Sequence, residues 1–168
     1  MSEPLNPWLS RPTTPPPSQV APVASVPDAV GPVAPQRGIP APDRVDQLPV
    51  HDRGATAGLW WVGAHGGSGE STLAALMPGT QAAGHAWPRT PSQTPARTVL
   101  VARRDALGLR AAQDAMPPWA AGLVPSVEAV GLVVFAAAPG RDPLSLSHLF
   151  QRLSVGAPRT SSVPWVQA

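Results

Sequence analysis

Residues 59–77 set an apolar run, a glycine-rich turn and a helical run end to end, and few folds accommodate that order. Leu59-Trp60-Trp61-Val62 is apolar at every position, as suits a strand covered on both faces. Gly63-Ala64-His65-Gly66-Gly67-Ser68-Gly69 follows, and Glu70-Ser71-Thr72-Leu73-Ala74-Ala75-Leu76-Met77 reads as a helix that Pro78-Gly79 stops. Strand, glycine turn and helix N-terminus together aim backbone amides at an anion. Where such a loop carries a lysine, this chain has Glu70. It has no lysine anywhere, and all twelve basic residues are arginine.

The rest of the chain extends the alternation. A first strand is expected over 58–62 and a second over 98–102, ending at Arg103-Arg104. Asp105 then caps a helix to about residue 116, which Pro117-Pro118 should end. A third strand is expected over 130–137. The turn Pro139-Gly140-Arg141-Asp142-Pro143 leads into a helix over 144–153, with Asp142 as its N-cap. Residues 162–166 read as a short edge strand, where proline is tolerated. Residues 50–57 read as a polar approach. Residues 80–96, with Gly84, Pro88, Pro91 and Pro95, read as a loop pinned by Trp87. Strands alternating with helices predict a small three-layer α/β fold on a mostly parallel, P-loop-like sheet.

Thirteen of the twenty-four prolines fall in residues 1–49, a stretch without apolar period. Residues 1–56 therefore read as a disordered, Pro/Ala-rich arm, and 57–168 as the folded domain. Arg11 and Pro15-Pro16-Pro17 in that arm match a ligand for an aromatic groove, though a solvated tail fits as well. With no cysteine, disulfides and thiolate chemistry are excluded. The net charge of +2 comes from scattered arginines, which make no nucleic-acid footprint. The start of the chain lacks a basic, apolar leader, and the apolar run 132–138 is too short to span a bilayer. A cytoplasmic protein without membrane contact is expected.

His65-Gly66-Gly67-Ser68-Gly69-Glu70-Ser71-Thr72 resembles the deviant Walker A loop of the ParA/MinD family of partition and positioning ATPases, Lys-Gly-Gly-x-Gly-Lys-Ser/Thr-Thr. His65 stands at the signature lysine and Glu70 at the general one, while Gly66, Gly67, Gly69, Ser71 and Thr72 match. The same stretch is similar to a Gly-x-His-Gly-Gly-x-Gly-Glu-Ser/Thr loop in a group of small actinobacterial proteins. The resemblance implies a nucleotide site at 65–72, ATP with magnesium as its ligands, Ser71 as a magnesium contact, and a role in plasmid partition or mobile elements. Both lysines are missing, as is the strand carrying the Walker B aspartate.

Those departures decide the chemistry expected. Phosphoryl transfer is mostly charge stabilisation. One unit charge at about 4 Å contributes about 4 kcal/mol at an effective dielectric near 20, and lysine to glutamate changes two units. Amide bonds at about 1 kcal/mol each do not comfortably offset that. A pseudo-ATPase with no catalytic residue is expected, unless Arg103 and Arg141, at the carboxyl ends of two strands, resupply the charge. Arg53 and Arg89 flank loops and are further sources of charge. The other reading makes Glu70 structural: its carboxylate fills the anion hollow itself, leaving an interaction scaffold whose proline arm binds a protein partner. Two more readings fare poorly. Gly69-Glu70-Ser71 lacks the second glycine of an esterase elbow, since position 73 is Leu. His51, His65, Glu70 and His85 lack metal-ligand spacing, and His148 lies in the last helix.

Overall fold

The structure is a computed structural model and describes residues 31–40 and 43–165. Its strands are β1 (Val50–Asp52), β2 (Leu59–Gly63), β3 (Thr80–Gly84), β4 (Trp87–Arg89), β5 (Ala96–Arg104), β6 (Val127–Ala136) and β7 (Thr160–Val163). Its helices are α1 (Glu70–Leu76), α2 (Ala106–Ala120) and α3 (Leu144–Gly156), with one 3-10 turn at Arg44–Asp46. The main sheet has the order β3-β2-β5-β6-β7, and every neighbouring pair is parallel. The fold class is therefore α/β with a parallel sheet, as the alternation of elements predicts. Among the described residues no helix is long and apolar enough to cross a membrane.

Helices cover the two faces unequally. Period-two alternation sends Trp60, Val62, Leu100, Ala102, Leu132 and Val134 to one face, where α2 and α3 pack through Leu109, Met116, Trp119 and Leu153. Trp61, Val99 and Val101 lie on the other face, with Leu73 and Ala74 of the short α1 against them. The adjacent tryptophans thus serve opposite cores. Trp61 also donates from Nε1 to Thr80 Oγ1 at 3.0 Å, tying β2 to β3.

Several expectations are corrected. The stretch 80–96 is not all loop: β3 extends the sheet beside β2, and β4 pairs in parallel with β1. β3 reads Thr-Gln-Ala-Ala-Gly, and its pairing comes from β2 rather than from strand propensity. The polar approach contains β1, where Asp52 meets Arg89 at 2.5 and 3.2 Å, and the Trp87 N–H donates to the Pro49 carbonyl at 2.8 Å. Pro117 and Pro118 do not stop α2, which runs to Ala120 with Trp119 fully buried in the core. The helix ends instead where Gly122, at φ 77°, lets Leu123 N–H reach the Pro118 carbonyl and Gly122 N–H the Trp119 carbonyl.

The arm also differs from its expected extent of 1–56. From Gly31 onward the described residues lie on the domain: Gln36 N–H donates to the Ala120 carbonyl at 2.7 Å, and Ile39 and Leu48 pack against the main core. Arg11 and Pro15-Pro16-Pro17 lie outside the described residues.

Candidate functional site: a glycine loop closed by its own carboxylate

The strand order creates one crevice. β2 connects through α1 to β3 on one side, whereas β5 connects through α2 to β6 on the other. The chain therefore diverges at the carboxyl ends of β2 and β5, where open α/β sheets hold their ligands. The glycine loop, residues 64–69, rises at that point. Its Ala64 N–H continues the sheet ladder to the Val101 carbonyl at 2.8 Å, and Gly67 and Gly69 take φ of 77° and 104°.

Glu70 opens α1 and turns back into this loop. It is 7% exposed. Ser68, itself buried, donates from Oγ to Glu70 Oε2 at 2.5 Å, and Ser71 Oγ lies 3.4 Å from Oε1. His85 Nε2, on the turn after β3, stands 3.8 Å from the same Oε1. Burial pushes the carboxyl up. The bonds from Ser68 and from Glu70's own backbone N–H, His85's field and the Ser71 bond outweigh it and hold the group below its ordinary value. The loop thus contains a hydrogen-bonded anion supplied by the chain.

Gly63 makes room for it. A Cβ at that position would stand 2.6 Å from Ser68 Oγ and 2.9 Å from Glu70 Oε2. The strand must end in glycine for the carboxylate to fold under the loop.

His65 and Arg103 lock the other side. The Arg103 N–H donates to His65 Nε2 at 3.1 Å, so that nitrogen is unprotonated and Nδ1 carries the ring proton. Nδ1–H then donates to the Gly66 carbonyl at 2.8 Å. Arg103 also donates from Nε to the Gly67 carbonyl at 3.1 Å. The imidazole lies against the first turn of α2, where a Cβ on Gly108 would sit 2.7 Å from Nε2 and 2.3 Å from the Arg103 carbonyl oxygen. Asp105 caps that turn by accepting from the Gly108 N–H at 2.7 Å, as its position before an apolar helix implies.

Of the expected site residues, His65, Gly67, Ser68, Gly69, Glu70, Ser71 and Arg103 come together. Gly66 is exposed at the loop tip, and Ser71 and Thr72 are exposed on the first turn of α1. Arg141 is exposed in the turn after β6 and is not among the residues bonded to the loop. Asp142 does not cap α3, whose N-cap is Pro143 without a side-chain bond. It pairs with Arg104, Oδ2 to Nε at 2.5 Å, and that guanidinium also covers the Phe150 ring at 4.0 Å. Arg53 and Arg89 serve elsewhere, Arg53 on the Ala83 carbonyl and over Trp60, Arg89 on Asp52. Sequence reasoning gave no site role to Gly63 or Gly108, and weighed His85 beside Glu70 only as a metal ligand. Gly108 had a readable signal, since a glycine inside a helix marks a close approach.

A protein-family model described as "Family of unknown function (DUF6668)" matches residues 57–168, and the chain belongs to that family. No curated protein and no solved structure matches the chain.

Proposed function

With membership of that family as the premise, we propose that this domain is a non-hydrolysing, ParA/MinD-like module that acts by binding a protein partner, its nucleotide loop being occupied by Glu70. One observation carries the reading: the Glu70 carboxylate lies in the loop, bonded to Ser68 at 2.5 Å and seated against Gly63. A phosphate entering the same hollow would meet a fixed negative charge at contact distance, and the Ser68 hydroxyl and the Glu70 N–H are already given to that charge. The strands beside the loop add no carboxylate for magnesium: β3 reads Thr-Gln-Ala-Ala-Gly, and β5 ends in two arginines. The partner, the oligomer it forms and a place in partition or mobile-element systems follow from the resemblance of the loop alone.

A second reading has one observation in its favour. Arg103 lays its guanidinium on the loop at the Gly67 carbonyl, which keeps a positive charge beside the hollow. An anion or nucleotide would then bind when Glu70 swings outward.

Calorimetric titration with ATP–magnesium separates the two. The first reading predicts no binding by the wild type, and binding only once Glu70→Lys takes the carboxylate out of the hollow. Binding by the wild type would sink it. Binding by Glu70→Lys alone would support a nucleotide site that Glu70 has inactivated.

A further inference from the structure

Away from the glycine loop, residues 32–39 cross the outer side of α2 and α3 as a strap. The strap is held at both ends. Gly31 approaches the end of α3 so closely that a Cβ there would overlap the carbonyl oxygens of Ala157 and Val155. The Gln36 N–H donates to the Ala120 carbonyl at 2.7 Å. Beneath it, the strap and the two helices bound a groove of about 320 Å³. The floor is apolar: Ile39, Met116, Ala120, Leu149 and Leu153.

Three polar side chains stand in the lining: Gln36, Gln113 and Arg152. Among the described residues none of these side chains has a hydrogen-bond or ion-pair partner. Among the described residues no acidic side chain lines the groove, and Arg152 is the one charge in its lining. Pro117 lies in the lining too and, lacking an N–H, cannot donate to the Gln113 carbonyl one turn earlier. An apolar hollow with a few convergent, unspent polar groups is the usual composition of a small-molecule site.

We propose that this groove binds a free amphiphilic carboxylate, its hydrocarbon chain on the Met116–Leu149–Leu153 floor and its headgroup at Arg152. At about 30 Å³ per water-sized group, the volume suits roughly eight to ten carbons. A cation that no described residue pairs, above a floor on which the described residues place no acid, selects an anion over an alcohol of equal length. The site is independent of the glycine loop and of whatever that loop holds.

Calorimetric titration of the full chain with decanoate and with decanol tests this. Decanoate is expected to bind at least about tenfold more tightly than decanol. Arg152→Gln should remove that difference by weakening the acid alone. Val155→Glu, at a rim position that is 61% exposed and so tolerant of change, should also weaken decanoate more than decanol. No binding of decanoate, equal binding of acid and alcohol, or binding untouched by both substitutions in chains with unchanged circular dichroism would each overturn the proposal.

Discussion

Two neighbours hold the space that a Cβ on Gly63 would need, and both belong to the closed loop. An alanine there would press on Ser68 Oγ at 2.6 Å and on Glu70 Oε2 at 2.9 Å, both buried and bonded to each other. Gly63→Ala is therefore expected to cost about 1–3 kcal/mol in urea unfolding, through overpacking and loss of the carboxylate's bonds. Gly66→Ala is the control: its φ is not positive and nothing lies within 4 Å of a Cβ there, so it should change stability by less than about 0.5 kcal/mol. Equal effects of the two would mean that Glu70 does not hold its place in the loop. Glu70 at a helix start was legible as an anion-filling group, because acids suit that end of a helix. The groups that hold it there were not legible, because Ser68, Gly63 and His85, the last from another strand connection, meet it only in the fold.

At the scale of elements, the strands that read clearly were β2, β5 and β6, whose apolar runs are buried on both faces. β3 and β4 were illegible. β3 has only a threonine to suggest a strand and gains its pairing from β2, while β4 exists because β1 pairs with it. The end of α2 was misread for a different reason. Two prolines remove two helical bonds, but the packing of Met116, Trp119 and Ala120 into the core carries the helix past them. The stop is Gly122. Its Cβ would meet only Pro35 at an ordinary 3.6 Å, so the cost of Gly122→Ala is conformational. That substitution should lower stability by about 1 kcal/mol without moving the dichroism of the folded state. A neutral result would mean that the left-handed turn does not set the helix end.

The whole molecule is a parallel sheet with most of its helix on one side. Seven residues of helix cover one face, whereas α2 and α3 cover the other. The crowded side recruits the segment before the family-matched region: Ile39 and Leu48 pack on its core, and β1 pairs with β4, whose Trp87 is fully buried. A chain shortened to residues 57–168 should thus unfold earlier than one beginning at residue 31. Losing the two partly buried side chains and β1 should cost about 2–4 kcal/mol. Identical unfolding midpoints would show that the strap and β1 contribute nothing to the fold. The alternation of strands and helices in the sequence foretold the parallel sheet. It could not foretell the strap, because proline-rich sequence reads the same whether it is solvated or laid across two helices.

The loop's occupancy by its own acid is open to direct observation through the Glu70 carboxyl carbon, followed by nuclear magnetic resonance during acid titration. Burial alone would raise its midpoint, so the outcome turns on whether the Ser68, backbone and His85 interactions prevail. The closed loop predicts a midpoint below the ordinary 4.5, moving upward in Ser68→Ala. A folded value lowered in this way adds stability that is present above pH 4.5 and is lost as the pH falls through the lowered value, so wild type and Glu70→Gln should converge in acid. A midpoint at or above 4.5, unmoved by Ser68→Ala, would place the carboxylate outside the loop and contradict the account.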